Sequence, residues 1–173
     1  MSEQALILLV EDSEDDILLI RRAFIKAKVL NPVHIVNTGK EAMAYLSGTG
    51  RYSNRSEFPL PSLVLLDLKM PGIDGFDVLR WIRNEPGLKT LRVVILTSSD
   101  EMRDVTTAYQ AGANSFLIKP IDFDRFVEIS QALNGYWLWM DKAPDAVRPP
   151  SGPGESTQEG TPSEQITPRY RLS

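Results

Sequence analysis

Short apolar runs alternate with longer mixed segments through the first 140 residues, and this alternation restricts the fold more than any other feature. Each run is too continuous to leave one face in water, which is typical of parallel strands covered by helices on both sides. The pattern therefore predicts an α/β domain built on a parallel sheet. The predicted strands are Ala5–Val10, Val33–Val36, Leu63–Leu66, Val93–Leu96 and Ser115–Ile118.

A helical segment follows every predicted strand. Local signals support these boundaries, because Ser13 is a good N-cap residue and Pro86-Gly87 is typical of a helix end. Five βα units joined by right-handed crossovers predict a doubly wound three-layer sandwich. The predicted helices are Glu14–Lys28, Lys40–Leu46, Phe76–Asn84, Glu101–Ala111 and Phe123–Trp139.

The composition changes near Lys142, after which Pro, Gly, Ser and Thr predominate. Six of the 12 prolines lie in residues 141–173, and few large apolar side chains accompany them. Such a segment buries too little apolar surface to offset the entropy lost on ordering the backbone. The sequence therefore predicts a folded domain over residues 1–140 and a disordered tail over residues 141–173.

Composition and charge exclude several functional classes. The chain has no cysteine and one histidine, which excludes disulfides, thiolate chemistry and multi-histidine metal centres. A net charge of −4 argues against direct nucleic-acid binding. There is no signal-peptide pattern, and no apolar stretch approaches the roughly 20 residues that span a bilayer. We therefore expect a cytoplasmic protein that does not enter a membrane.

Charged and hydroxyl side chains follow four of the predicted strands, and the carboxyl ends of parallel strands form the usual ligand crevice of an open α/β sheet. Glu11 and Asp12 follow the first strand, Asp67 the third, Thr97 the fourth and Lys119 the fifth. Three carboxylates so close together need a cation or a proton. Mg²⁺ suits them because it prefers hard oxygen ligands.

These residues form a complete set for phosphoryl transfer to a carboxylate. One of the carboxylates supplies a nucleophile and the others supply metal ligands, while Thr97 supplies a hydroxyl donor and Lys119 a compensating ammonium. Each residue alone is more often structural, since strand-end hydroxyls, capping carboxylates and solvated lysines are common. Their joint placement at one edge of the sheet favours the functional interpretation.

Four motifs resemble the receiver domain of two-component response regulators, a CheY-like, flavodoxin-like (βα)5 fold. The resemblance covers residues 5–140 in matching order and spacing. The motifs are Leu8-Leu-Val-Glu-Asp12, Leu63-Val-Leu-Leu-Asp-Leu-Lys-Met-Pro-Gly-Ile-Asp-Gly75, Ile95-Leu-Thr-Ser-Ser99 and Gly112-Ala-Asn-Ser-Phe-Leu-Ile-Lys-Pro120.

The resemblance implies that Asp67 accepts a phosphoryl group from a phosphohistidine of a sensor histidine kinase. It also implies that Mg²⁺ is held by Glu11, Asp12, Asp67 and the backbone carbonyl of Lys69. Glu11 departs from the aspartate of many members, but its longer side chain still reaches the metal. The protein would then be a phosphoacceptor in signalling that catalyses only its own phosphoryl transfer and dephosphorylation.

By the same resemblance, Thr97 and Lys119 would bind the phosphoryl oxygens and Phe116 would change rotamer with Thr97. Phe116 stands where tyrosine is commoner in the family, which leaves a packing signal without a hydroxyl. Lys69 and Ser99 occupy the two positions that tune phosphoryl lifetime in this family. Pro120 occupies the position that often follows a cis peptide bond.

Two further features resemble the single-domain regulators that serve phytochrome-type kinases. One is the long connection from Ser47 to Ser62, and the other is the aromatic end of the fifth helix, Tyr136-Trp-Leu-Trp139. We therefore expect a stand-alone regulator that signals through protein contacts. The surface formed by helices four and five is a candidate homodimer or docking surface.

Two alternatives stay open at this point. A pseudo-receiver would share the fold but would never be phosphorylated, although retention of the whole set of site residues argues against it. A phosphohydrolase of the haloacid dehalogenase type would need a second carboxylate two residues after the nucleophile, where this chain has Lys69. The single histidine, His34, is expected to be a packed or half-exposed residue and not a phosphate carrier.

Overall fold

The computed structural model describes residues 4–135, in which five strands alternate with five α-helices. The strands are β1 (Ile7–Val10), β2 (Val33–Val36), β3 (Leu63–Leu66), β4 (Arg92–Thr97) and β5 (Ser115–Ile118). The helices are α1 (Glu14–Lys26), α2 (Gly39–Ser47), α3 (Gly75–Asn84), α4 (Met102–Gln110) and α5 (Phe123–Leu133). The predicted tail and the aromatic segment Tyr136–Trp139 lie outside the described residues, so the domain boundary at residue 140 stays a prediction.

The strands form one parallel sheet in the order β2-β1-β3-β4-β5. The chain therefore winds outward from β1 in one direction and from β3 in the other, which confirms the doubly wound CheY-like architecture. Ile7 pairs with Val33 on one side and with Leu63 on the other, so the central strands begin in step. Their carboxyl ends consequently meet at one edge of the sheet.

Each face of the sheet has its own apolar core, because successive strand residues point to opposite faces. Leu8, Val10 and Leu66 pack with residues of α2, α3 and α4. Ile7 and Leu65 belong to the opposite cluster, which residues of α1 and α5 complete. The result is the predicted three-layer sandwich.

The prediction that every strand is covered on both faces is right for β1 and β3 and wrong for β5. All four residues of β1 and of β3 are buried, whereas β5 has no fully buried residue and Ile118 is 46% exposed. The reason is position, since β5 is an edge strand with a neighbouring strand on one side only. Element ends otherwise differ from the predicted ones by one or two residues, except that the predicted end of the fifth helix, Trp139, lies outside the described residues.

The long connection before β3 is ordered by its own contacts. It contains a 3-10 helix, Gly50–Tyr52, which was not predicted. The Arg55 guanidinium donates hydrogen bonds to the backbone carbonyls of Tyr45, Leu46 and Phe58, at 2.8, 2.7 and 3.1 Å. It therefore ties the connection to the last turn of α2. Within the described chain, each helix is too short or too polar to cross a bilayer.

Candidate functional site

Three carboxylates converge at the carboxyl edge of the sheet, as the sequence predicts. Glu11 and Asp12 follow β1 and Asp67 follows β3, and one oxygen of each lies within 4.8 Å of the others. We call these three residues the acidic cluster. Glu11 is 1% exposed and Asp67 is 5% exposed, whereas Asp12 is open to solvent. A soluble ligand can therefore approach buried carboxylates from one side.

Backbone hydrogen bonds fix the acidic cluster to the sheet. The Glu11 N–H donates to the Val36 carbonyl and the Asp67 N–H donates to the Val10 carbonyl, both at 3.1 Å. The loop after Asp67 then turns back sharply, and a Cβ at Gly75 would lie 2.2 Å from the Asp67 carbonyl oxygen. Glycine is required at this position because any side chain would push α3 away from the phosphoacceptor candidate.

Lys119 reaches the acidic cluster from β5, two strands away from β3. Its backbone N–H donates to the Thr97 carbonyl at 2.7 Å, and its side chain is 7% exposed. The ammonium contacts a Glu11 oxygen, and it lies 2.9 Å from Asp16 Oδ2 and 3.5 Å from Asp67 Oδ2. The structure thus brings Lys119 to Asp67, as predicted, and adds Asp16 as an unpredicted partner.

The peptide bond between Lys119 and Pro120 is trans, since none of the described peptide bonds is cis. The expectation of a cis bond at this position is therefore not met. Trans is the lower-energy isomer of an X–Pro bond.

The electrostatics of the site show that negative charge is in excess. Burial, together with the nearby charge of Asp67, raises the pKa of Glu11 to about 7, although the hydrogen bond from Lys119 opposes this. Burial alone would lower the pKa of Lys119, but its hydrogen bonds to Glu11 and Asp16 reverse the effect and raise it. Glu11, Asp16 and Asp67 share the Lys119 ammonium, and Asp12 adds a fourth negative charge, so a divalent cation would relieve the imbalance.

The donor set fits a hard divalent cation. Carboxylate oxygens are the ligands that Mg²⁺ and similar ions prefer, and such ions keep several waters in their coordination shell. One of the three carboxylates, Asp12, faces solvent and could bind an ion that keeps those waters. Glu11 is the most constrained ligand candidate, because its oxygens already accept hydrogen bonds from Ser13 N–H and from Lys119.

Thr97 and Phe116 lie on the same face of the sheet. Thr97 ends β4, is fully buried, and pairs with Ile118, two residues beyond Phe116. Phe116 is half-buried, and its backbone N–H donates to the Tyr109 hydroxyl at 3.2 Å. The placement is compatible with coupled movement of the two side chains, which remains a prediction.

A second polar network borders the acidic cluster. The Lys69 N–H donates to Asp67 Oδ1 at 3.3 Å, and the Lys69 ammonium lies 3.2 Å from Asp104 Oδ2. The Ser99 hydroxyl donates to the same Asp104 oxygen, and the Ser99 N–H donates to Thr97 Oγ1 at 3.4 Å. The hydrogen bond from Ser99 lowers the pKa of Asp104. Lys69 and Ser99 are thus joined through Asp104 of α4. The predicted role of the Lys69 carbonyl as a metal ligand stays a prediction.

Sequence reasoning missed two carboxylates of this region. Asp16 lies in the first turn of α1, where a carboxylate is favourable on local grounds alone, yet it also contacts Lys119. A usable signal was its place in the first turn of the helix that follows β1, which puts it at the carboxyl end of the sheet. Asp104 carries no such signal, because its contacts depend on how α4 packs against the loop after β3.

Comparison with known proteins identifies relatives of this chain. The family model for the response regulator receiver domain matches residues 7–131. The probable methanogenesis regulatory protein FilR2 of Methanothrix harundinacea is 37% identical over 142 residues, which cover 80% of this chain and 87% of that protein. Response regulator Rcp1 of Synechocystis sp. is 36% identical over 132 residues, which cover 76% of this chain and 88% of Rcp1.

Solved structures agree with the sequence matches. The phosphorylated cyanobacterial phytochrome response regulator RcpA superposes with a TM-score of 0.73 at 36% identity, covering 79% of this chain and 96% of RcpA. The Mn²⁺-bound form of Rcp1 superposes with a TM-score of 0.70 at 36% identity, covering 78% of this chain and 94% of that chain. The similarity therefore extends over most of both chains and includes a metal-bound relative.

Proposed function

The chain belongs to the response regulator receiver family of two-component signalling, and on that premise we propose that Asp67 accepts a phosphoryl group from a sensor histidine kinase. The observation that carries this proposal is the acidic cluster with Lys119 beside it. Asp67 is buried among Glu11, Asp12 and the Lys119 ammonium, and its oxygen lies 3.5 Å from that ammonium. A receiver needs this combination of nucleophile, cation ligands and fixed positive charge.

In the proposed reaction, a carboxylate oxygen of Asp67 forms a bond to the phosphorus atom of a phosphohistidine. The phosphorus–nitrogen bond breaks, and the imidazole nitrogen leaves with the bonding electron pair. Charge grows on the phosphoryl oxygens, where the Lys119 ammonium and the Thr97 hydroxyl can interact with them. Thr97 is buried behind the site, so it must turn its hydroxyl toward the phosphoryl group.

We further propose Mg²⁺ as the divalent cation, held by Glu11, Asp12, Asp67 and the carbonyl of Lys69. When bound, it would neutralise carboxylate charge and polarise the phosphoryl oxygens. Movement of Thr97 and Phe116 would carry the signal to the surface that α4 and β5 form. The protein would act as a phosphoacceptor and not as an enzyme on an external substrate.

Intact-mass measurement tests the proposed phosphoacceptor. The wild-type protein is incubated with acetyl phosphate and Mg²⁺, and we expect it to gain the mass of one phosphoryl group. Asp67→Asn should gain none, because the amide is not a nucleophile toward phosphorus. Omission of Mg²⁺ should also prevent the gain.

Asp77→Asn is the matched control, because Asp77 lies on α3, is exposed and pairs with Arg80 away from the site. It should be labelled like the wild type. Labelling of the Asp67→Asn variant would place the phosphoryl group elsewhere. Absence of labelling in the wild type would favour a pseudo-receiver that binds partners without phosphorylation.

The relatives extend the proposal to partners and to localisation. RcpA is described as a phytochrome response regulator, so we propose a phytochrome-type histidine kinase as the phosphodonor and the cytoplasm as the site of action. The surface around α4, β5 and the start of α5 exposes large apolar side chains, which supports a homodimer there. These exposed residues are Met102, Tyr109, Ile118 and Ile121.

Light scattering tests the proposed dimer surface. Ile121→Asp introduces a charge at the most exposed of these residues, and Ile25→Asp introduces the same charge at an exposed residue of α1. We expect Ile121→Asp alone to reduce the dimer fraction. An equal response of both variants would argue against the surface.

A further inference from the structure

The Lys119 ammonium has no spare hydrogen-bond donor. An ammonium group carries three N–H donors, and three carboxylates surround this one: Glu11, Asp16 and Asp67. A phosphoryl group on Asp67 would add acceptor oxygens beside Lys119. To pair with them, Lys119 must release one of its present partners.

The three partners differ in how easily they can lose the cation. Glu11 is 1% exposed, so leaving it without Lys119 would strand a buried carboxylate. Asp67 itself carries the incoming group. The Asp16 side chain is 36% exposed, so water can replace the ammonium there. Asp16 is therefore the partner that Lys119 can leave at the lowest free-energy cost.

Contacts at the start of α1 also stabilise Asp16 both when it pairs with Lys119 and when it does not. Ser13 caps the helix and accepts a hydrogen bond from the Asp16 N–H at 3.3 Å, which fixes the backbone of Asp16 three residues into the helix. A carboxylate in the first turn interacts favourably with the helix dipole. Asp16 can thus hold Lys119 in one state, and in the other its carboxylate can contact water and the N-terminal end of the helix dipole.

The geometry points to Asp16 as a positioning residue that holds the Lys119 ammonium in the unphosphorylated protein and releases it when Asp67 is phosphorylated. This inference rests on the proposed phosphoacceptor function and goes beyond it, since it couples α1 to the state of the site. Asp16 competes with the phosphoryl group for one cation, so it disfavours the phosphorylated state.

The chain offers a matched control in Asp15. Asp15 precedes Asp16 in the same first turn, is exposed, and makes no ion pair with Lys119 among the described contacts. Asp16→Asn and Asp15→Asn remove the same charge from the same helix end. Asp16→Glu keeps the charge and tests whether a carboxylate at this position is sufficient.

The first measurement is the phosphorylated fraction at fixed acetyl phosphate and Mg²⁺, by intact mass. We expect Asp16→Asn to raise this fraction several-fold over wild type, with Asp15→Asn unchanged and Asp16→Glu close to wild type. Equal fractions in the two Asn variants would overturn the inference. Failure of the wild type to be labelled would refute the proposed function instead.

The second measurement does not depend on phosphorylation. In protein with isotope-labelled lysine, the Lys119 ammonium resonance is assigned by its loss in Lys119→Arg. We expect Asp16→Asn to shift this resonance and speed its hydrogen exchange, and Asp15→Asn to leave both unchanged. If Asp16 only stabilised α1, both Asn variants would lower the free energy of unfolding equally and neither would move the Lys119 signal.

Discussion

The acidic cluster and the aromatic packing beside β2 differ in how their polar and charged groups are paired. Next to β2, the rings of His34, Tyr45, Tyr52 and Phe58 lie with centroids 4.7 to 6.1 Å apart, and we call these four residues the ring cluster. Its polar groups are largely paired, since the Tyr45 hydroxyl donates to the Pro59 carbonyl and the Tyr52 hydroxyl donates to Glu41. Arg51 balances the charge of Glu41. The acidic cluster instead leaves carboxylates in excess of cations.

This difference predicts separate roles, in which the ring cluster stabilises the fold and the acidic cluster carries the proposed chemistry. The ring cluster buries apolar surface and joins the long connection to the edge of the sheet, so its loss should unfold the protein. The acidic cluster keeps like charges close together, so it should lower stability until a cation or a proton arrives. Four predictions follow this contrast, ordered by the size of the expected effect.

Tyr45→Ala should lower the free energy of unfolding more than any of the other substitutions does. Tyr45 is 1% exposed and contacts the other three rings, and removal of a large buried ring lowers the free energy of unfolding by about 4 kcal/mol. Tyr45→Phe keeps the ring and loses one hydrogen bond, a loss of about 1 kcal/mol. Urea denaturation measures both values.

The folded fraction of each Tyr45 variant should still be labelled at Asp67, because the ring cluster contributes no side chain to the acidic cluster. Intact-mass labelling under native conditions checks this. If labelling fell in Tyr45→Phe while the protein stayed folded, the proposed separation of the two regions would be wrong.

Mg²⁺ should stabilise the protein through the acidic cluster alone. A cation that binds only the folded state adds about 2.7 kcal/mol to the free energy of unfolding when its concentration is a hundred times its dissociation constant. Thermal melts with increasing Mg²⁺ should show this in wild type and in Tyr45→Phe. Asp12→Asn removes the exposed carboxylate of the cluster and should abolish most of the increment; an unchanged increment would place the cation elsewhere.

The two regions were not equally predictable from sequence. The order of the elements and the meeting of Glu11, Asp12, Asp67 and Lys119 follow from one rule, that parallel strands end at a common edge. Apolar runs fix the strands, and the residue after each run is then placed without knowledge of side-chain packing. The resemblance to a receiver domain, now confirmed, rests on these same positions.

Contacts that depend on packing between elements could not be read in this way. Tyr52 and Phe58 lie in a long connection with no periodicity, so nothing in the sequence brings them to His34. Asp104 contacts Lys69 only because α4 packs beside the loop after β3. The exposure of β5 likewise follows from its edge position, which the apolar run Ser115–Ile118 does not reveal.

In the absence of a divalent cation, mild acid should stabilise the folded protein, because it protonates Glu11 of the acidic cluster. The pKa of Glu11 is raised from its ordinary value of 4.5 to about 7 in the folded protein, so the folded state binds the proton more tightly than the unfolded state does. The stabilisation is complete below pH 4.5 and is lost as the pH rises through 7. Between pH 7.5 and pH 5.5 the gain is about 2 kcal/mol. Glu11→Gln cannot titrate and should lose this gain in urea denaturation with chelator present.

Through the ring cluster, mild acid should instead lower the free energy of unfolding. This is the smallest of the four effects. Burial, with the nearby charge of Arg51, lowers the pKa of His34 below 6.5, and the Nε2 atom of His34 is buried without a hydrogen-bond partner. The unfolded chain therefore binds the proton more readily, so stability is full above pH 6.5 and falls as the pH drops through the folded-state pKa.

Glu11 would mask the small contribution of His34, so the measurement belongs in the Glu11→Gln background. There, stability in chelator should decline on acidification below pH 6.5, and adding His34→Gln should flatten that part of the profile. Asp15→Asn in the same background serves as a control that leaves the ring cluster intact and should keep the decline. If the decline persisted without His34, another group would be responsible, and the opposite pH responses of the two regions could not be assigned to Glu11 and His34.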